Sequence, residues 1–156
     1  DELRPFLPRI SALRSHGTTS VLCRIDPNGY SWIYMPSPDH RSHRIICTGN
    51  FSRNNNNGDI TTATIEFSEQ MTEEEIRTQL KLIPFSPSYL AHHWEEYTYP
   101  VQDASSRALI RELKERLEPR GIYLLGRFAE WEYYNMDAAI GAAMDLDKRL
   151  DAELQP

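Results

Sequence analysis

The residues best suited to chemistry lie close together near the carboxy-terminal end, over 126–144. Arg127 stands there among aromatic side chains, and Asn135 or Asp137 can cap a helix that begins with alanines. A helix start offers free backbone amides and a partial positive charge to an electron-rich group. Small side chains would let a flat ring or another backbone approach. The segment predicts a site for an anion or a flat ring, the alternative being an Arg127 that is only stacked on the surface.

A second cation and two histidine pairs are weaker candidates. Arg44 precedes Asn50 in a strand-like run and can be either a second anion contact or a solvated strand charge. No Gly-x-Ser-x-Gly motif marks a hydrolase nucleophile. The histidine pairs have no Cys or carboxylate companion at a metal-ligand spacing, so no metal is expected at His40 with His43 or at His92 with His93.

The composition is that of an ordinary globular chain with an acidic balance. The 156 residues carry a formal charge of −6 and have a pI near 5.4. No basic run is present, so nucleic acid is not an expected partner. No apolar stretch approaches the roughly 20 residues of a bilayer span, and no signal peptide begins the chain. We therefore predict a cytoplasmic protein without a membrane partner. Its start at Asp1 suggests a trimmed, processed or excised piece.

Two predicted hairpins make up most of the sheet. Runs of β-branched and apolar residues predict strands over 19–26 and 30–35, joined through a Pro-Asn-Gly turn. The runs 44–51 and 59–67 predict a second antiparallel pair. An Asn-rich stretch over 52–58 would close this second hairpin, because Asn and Gly tolerate positive φ.

Further strands are expected over 90–101 and, buried and short, over 122–125. Cys23 and Cys47 lie in apolar strand-like runs. That position favours inert buried thiols, with a disulfide or redox pair as the alternative.

Three main helices complete the predicted elements, after one short helix near the amino-terminal end. Thr72 and Glu75 have the spacing of a capping box and begin a helix that Pro84 stops. Apolar periodicity predicts helices over 105–118 and 137–150. The expected fold is α+β, a mainly antiparallel sheet of about five to six strands with three to four helices. One domain over 1–156 is expected.

The end of the chain resembles a known family. Gly126-Arg127-Phe128 and Tyr133-Tyr134-Asn135-Met136-Asp137 resemble the closing motif of UDP-galactopyranose mutases and their amine-oxidase-like and protoporphyrinogen oxidase-like flavoprotein relatives. Three further stretches match in the same order, so that the resemblance covers the chain from about Leu13 to Leu150: Trp32-Ile33-Tyr34-Met35-Pro36, Arg44 with Gly49-Asn50-Phe51-Ser52, and Tyr97-Thr98-Tyr99-Pro100-Val101.

This resemblance implies a role beside FAD. The chain would be the substrate-side and flavin-facing portion of an FAD-dependent oxidoreductase or mutase, acting on a small molecule such as a nucleotide sugar. The resemblance implies two sets of contacts: Gly126, Arg127, Asn135, Met136 and Asp137 toward the cofactor, and Arg44, Tyr99, Arg127 and Tyr133 toward the substrate.

The chain departs from the family in two ways. Asn135 stands where bacterial mutases usually have Asp, which leaves mutase, oxidase and desaturase chemistry open. No Gly-x-Gly-x-x-Gly motif is present to hold a pyrophosphate, so FAD binding by this chain alone should be weak or absent. Two hypotheses follow: a piece of a flavoenzyme without its nucleotide-binding half, or a stand-alone ligand-binding or interaction module. In the stand-alone module, an uncovered apolar face would favour self-association.

Overall fold

A computed structural model describes residues 3–55 and 60–154 and confirms the α+β class. The strands are β1 (Ser15–Ile25), β2 (Trp32–Tyr34), β3 (Ser42–Ile46), β4 (Thr61–Phe67) and β5 (Ser88–Pro100). The helices are α1 (Leu7–Ser11), α2 (Glu73–Leu80), α3 (Ala104–Leu117) and α4 (Met136–Leu154). By contacts the chain forms two compact units: a sheet unit, Gly17–Thr98, and a terminal unit, Asp1–His16 with Tyr99–Pro156. A single domain stays a prediction.

The strand order is β2-β3-β4-β1-β5 in one five-stranded sheet. The predicted pairing of 44–51 with 59–67 is confirmed, because β3 and β4 are antiparallel, although β3 ends at Ile46. Residues 56–59, which include the end of the predicted turn and the start of the predicted strand, lie outside the described residues.

The predicted hairpin of 19–26 with 30–35 is wrong. β1 pairs with β4, and β2 pairs with β3. The segment between β1 and β2 is held as a loop instead of a tight turn. Asn50 Nδ2 donates to the Asn28 carbonyl at 2.9 Å and to the Tyr30 carbonyl at 2.7 Å. These side-chain bonds compete with a hairpin ladder, which explains the error.

The core of the sheet unit follows from strand alternation. Every second residue of β4 is buried, and in β1 Val21 stands opposite Ile65 on the same face. The α2 helix covers this face with Ile76 and Leu80. Its predicted capping box is present, since the Glu75 amide donates to Thr72 Oγ1 at 3.3 Å and the Thr72 amide to Glu75 Oε2 at 2.9 Å.

The two cysteines are free and buried, as predicted for inert thiols. Burial raises the pKa of the Cys23 thiol to about 12. Burial also raises the pKa of Cys47, against a hydrogen bond to Asn28 that lowers it. Because the thiolate is the reactive form, neither cysteine is placed for nucleophilic chemistry near neutral pH.

The terminal unit is built on α3. The helix buries Leu109, Ile110, Leu113 and Leu117, and Leu13, Leu124 and Trp131 pack against that stripe. The predicted buried strand over 122–125 is wrong: no strand forms, and Ile122 is 52% exposed. Its apolar run packs against a helix through Leu124 and has no neighbouring strand to complete a ladder. Among the described residues, no helix is long and apolar enough to cross a bilayer.

Candidate functional site

The predicted motif forms a closed turn between Gly126 and Tyr134. Gly126 has φ +94°, a left-handed conformation that glycine adopts without steric cost. The Glu130 amide then donates to the Gly126 carbonyl at 2.9 Å, and the Glu132 amide donates to the Arg127 carbonyl at 3.0 Å. The chain reverses within nine residues, so Arg127 and Tyr134 come together.

Arg127 lies across a pair of tyrosine rings. The Tyr99 and Tyr133 rings are stacked, with centroids 5.0 Å apart and planes 13° from parallel. The guanidinium carbon of Arg127 is 5.0 Å from the Tyr99 centroid and 5.6 Å from the Tyr133 centroid. Its Nε donates to the Tyr134 carbonyl at 2.9 Å, and Nη2 donates to the same oxygen. Both of these hydrogen bonds go to a backbone carbonyl oxygen, which carries no formal charge.

Two anchors fix the other side of the turn. Glu130 accepts from Lys114 Nζ at 2.6 Å and from the Gly126 amide at 3.1 Å, and its side chain is nearly buried. Trp131 has φ +54°, which is strained for a bulky residue, and its Nε1 donates to the Val101 carbonyl at 3.0 Å. The sequence analysis missed Lys114 and Glu130, because only the folded turn brings them together.

The helix that follows the turn is uncovered. Met136 is 85% exposed, Ile140 61% and Met144 56%, and their spacing of four residues places them on one face of α4. The predicted cofactor contacts Asn135 and Asp137 are exposed as well. These residues fit a flat apolar ring or a partner surface, and they supply no cradle for a pyrophosphate.

Gly141 offers a direct test of whether this face is open. A methyl group added at Gly141 would meet nothing within 4 Å. Gly141→Ala should therefore stabilise the chain by about 0.5–1 kcal/mol through helix propensity, measured by urea unfolding. The control is Gly121→Ala, which also has open space but has φ +72°, and it should destabilise. A clear loss of stability in Gly141→Ala would show that α4 is packed in solution.

In the sheet unit, Arg44 is held in an ion pair. A β-bulge between Ser42 and Arg44 interrupts the β3–β4 register. Arg44 Nε donates to Glu66, and His43 Nε2 lies 3.5 Å from the same carboxylate. The Arg44 guanidinium carbon also lies 5.0 Å from the centroid of Trp32. Arg44 is therefore part of a nearly buried charge cluster on the face opposite the core.

The Glu66 cluster predicts a dependence of stability on pH. Burial alone would raise the pKa of Glu66, but hydrogen bonds and charges from His43 and Arg44 outweigh it and lower that pKa from its ordinary value. A lowered folded-state pKa contributes stability that is present above the unfolded-state pKa and is lost as pH falls through the folded-state value.

The variant Glu66→Gln should cost about 1–3 kcal/mol at neutral pH, because it weakens the partner of a nearly buried guanidinium. It should also flatten the loss of stability below about pH 4.5. Urea unfolding at several pH values measures both effects, with Glu115→Gln as a control at an exposed carboxylate. If the free energy of unfolding had the same pH dependence in Glu66→Gln and in the unchanged protein, this account of the cluster would be contradicted.

The predicted site residues thus fall in two places. Gly126, Arg127, Tyr99, Tyr133 and the start of α4 share the terminal unit, and Arg44 belongs to the sheet unit. Glu66 was not among the predicted site residues, and His43 was considered from the sequence only as a metal ligand. The alternation of β4 places Glu66 on the polar side of that strand, which is the one signal in the sequence that could have found it. The bulge in β3 next to His43 has no recognisable sequence pattern.

The described residues form several open cavities. One of about 500 Å³ lies between α3 and the Gly126–Tyr134 turn, and its lining includes Lys114, Glu130 and Tyr134. A larger one of about 670 Å³, away from every predicted site residue, lies in the sheet unit beside Arg77 and Tyr89. Size alone therefore does not identify the predicted site.

Comparison with known proteins places the fold. No protein-family model matches the chain, and no curated protein matches it. Among solved structures, reduced UDP-galactopyranose mutase matches with a TM-score of 0.68 and 19% identity over 83% of this chain and 32% of that one. A putative protoporphyrinogen oxidase from Exiguobacterium sp. 255-15 matches with a TM-score of 0.60 and 13% identity over 94% of this chain and 37% of that one.

The chain spans about a third of the length of these two proteins. Their names are those of the two groups that the motif at 126–137 resembles, so the resemblance is confirmed at the level of the fold. The protein has the fold of one portion of UDP-galactopyranose mutase and of a protoporphyrinogen oxidase-like protein.

Proposed function

We propose that this chain is the substrate-side and flavin-facing portion of an FAD-dependent oxidoreductase or UDP-galactopyranose mutase-like enzyme, inactive by itself. The observation that carries the proposal is the position of Arg127 over the stacked Tyr99 and Tyr133 rings, at a turn that leads directly into the uncovered α4. A cation on a stacked aromatic pair, of which Tyr133 is 50% exposed, beside an exposed apolar helix face suits a ligand with an anionic part and a flat part.

The substrate in this proposal carries a diphosphate, as a nucleotide sugar does. The Arg127 guanidinium can bind phosphate oxygens through paired N–H donors, and tyrosine hydroxyls can donate to the same oxygens. Arg44 is a weaker anion contact than the sequence analysis expected, because Glu66 already pairs with it. An anion at Arg44 would have to share the guanidinium with that carboxylate.

The cofactor in this proposal is FAD, held mainly by the part of the flavoenzyme that this chain does not contain. Asn135, Met136 and Asp137 would face the flavin ring, since all three are exposed at the start of α4. The nucleotide half of FAD would have to be gripped elsewhere, because this sequence lacks the glycine-rich motif. A cytoplasmic location stays a prediction from the sequence.

Calorimetric titration with UDP and with uridine tests the substrate part. We expect UDP to bind and uridine to bind much more weakly, because only UDP presents a diphosphate to Arg127. Equal binding of the two, or no binding of UDP at millimolar concentration, would contradict the proposal. Absorbance of the purified chain before and after addition of FAD tests the cofactor part: tight, stoichiometric flavin would refute weak binding by this chain alone.

A stand-alone binding module is the second candidate, and the exposed apolar face of α4 favours it equally. A module of this kind would use the same Arg127 site for a ligand, or α4 for a protein partner, without flavin chemistry. The intact coding region separates the two functions. A nucleotide-binding half encoded upstream supports the enzyme, and a start codon directly before Asp1 supports the module.

A further inference from the structure

Within the described part of the chain, strand β5 lies at one edge of the sheet and is exposed on both faces over most of 90–97. It ends the strand order of the sheet, so that β1 is its neighbour among the described strands. All side chains over 90–97 are exposed except that of Trp94, which is partly covered and lies against Gly17. A long edge strand is a template for another strand, because backbone N–H and C=O groups line its outer edge.

The sequence of this edge is complementary to itself. Two imidazoles, His92 and His93, precede Trp94, and two carboxylates, Glu95 and Glu96, follow it. When two copies run antiparallel about Trp94, His92 stands opposite Glu96 and His93 opposite Glu95. Within one chain His93 Nε2 already lies 3.8 Å from Glu95 Oε2, so those two side chains share a face.

These cross-strand pairs are favourable without full ionisation. A neutral imidazole donates an N–H to a carboxylate, and a protonated ring adds charge attraction. Each such pair in an antiparallel ladder contributes modestly, and two-fold symmetry forms every pair twice.

Charge also selects the register. In an antiparallel pair with two-fold symmetry, one residue of each copy lies at the symmetry centre. Because every side chain has to stay on its face of the sheet, the alternative registers place a neighbouring residue at that centre. Centring on Glu95 places two Glu95 carboxylates opposite each other, and centring on Glu96 does the same for Glu96. Like charges directly opposite are destabilising, so the Trp94-centred register is preferred over both.

We propose that β5 pairs with β5 of a second copy of this chain, antiparallel about Trp94, to form a homodimer with one continuous sheet. Self-complementary charge is the property that points to a second copy instead of an unrelated partner. The proposal does not depend on flavin or on the Arg127 site, because β5 over 88–98 belongs to the sheet unit.

Sedimentation equilibrium over a wide concentration range tests the proposal with two double variants. The first double variant, His92→Glu with His93→Glu, places carboxylates opposite carboxylates across the contact. The second, Glu95→Lys with Glu96→Lys, removes the carboxylate acceptors. Each variant alone should raise the dimer dissociation constant about tenfold or more. A mixture of the two should dimerise again, because the glutamates of one copy then face the lysines of the other.

Restored association in the mixture also shows that both variants fold, and circular dichroism checks this independently. Three results would overturn the proposal: a monomeric unchanged protein at all concentrations, a dimer unaffected by either variant, or a mixture that stays monomeric. A dimer that survives both variants but is lost in Ile140→Glu would assign the contact to α4 instead.

Discussion

Arg127→Ala should weaken UDP binding by roughly tenfold to a hundredfold, the range that corresponds to losing a charge-assisted hydrogen bond to a phosphate. The reason is geometric: Arg127 is the cation that lies across the stacked Tyr99 and Tyr133 rings. The UDP affinity of Arg127→Lys should lie between those of the unchanged protein and Arg127→Ala, because lysine keeps the charge but loses the planar fork of donors. Isothermal titration calorimetry with UDP measures all three proteins.

The control for this prediction is Arg116→Ala, an exposed arginine on α3 in the same unit. Its affinity for UDP should match that of the unchanged protein, which separates loss of a specific contact from loss of one unit of charge. Thermal unfolding checks that the turn survives, since Arg127 also bonds the Tyr134 carbonyl. Equal UDP affinities for Arg127→Ala and Arg116→Ala would show that Arg127 does not contact the ligand.

Gly17→Ala should strongly destabilise the sheet unit. A Cβ at Gly17 would lie 2.2 Å from the nearest ring carbon of Trp94 and 2.8 Å from the Glu95 carbonyl oxygen. Both distances are far inside van der Waals contact, so β1 and β5 would have to move apart. We expect a loss of about 2–3 kcal/mol and a fall in Tm of roughly 5–10 °C.

Gly29→Ala is the matched control, because an added Cβ there meets nothing within 4 Å. Differential scanning calorimetry on both variants gives the comparison. A Gly17→Ala protein as stable as Gly29→Ala would mean that Trp94 does not lie across Gly17.

The sequence predicted best where one residue pattern decides the structure. Alternation in β4 identified a strand with one buried face, and the capping box at Thr72 located the start of α2. The closing motif placed Arg127 and Tyr133 in one turn. In each case the signal is local, since neighbouring residues determine both the conformation and the buried face.

Prediction from the sequence failed where residues far apart along the chain determine the local structure. The partner of β1 is β4 rather than β2, because Asn50, from another part of the chain, holds the segment between β1 and β2 as a loop. The run 122–125 is apolar enough for a strand but has a helix beside it. The pairing of Arg44 with Glu66 depends on register and on a bulge, and neither can be derived from composition or spacing.

The central claim is that the Gly126–Tyr134 turn with Tyr99 forms the ligand site. Titration of the ¹⁵N-labelled chain with UDP, followed by amide chemical shifts, tests it most directly. We expect the changes to concentrate over 126–134 and at Tyr99, and to be lost in Arg127→Ala. Changes centred on the cavity beside Arg77 and Tyr89, or no changes at a UDP concentration that saturates the calorimetric signal, would contradict the claim.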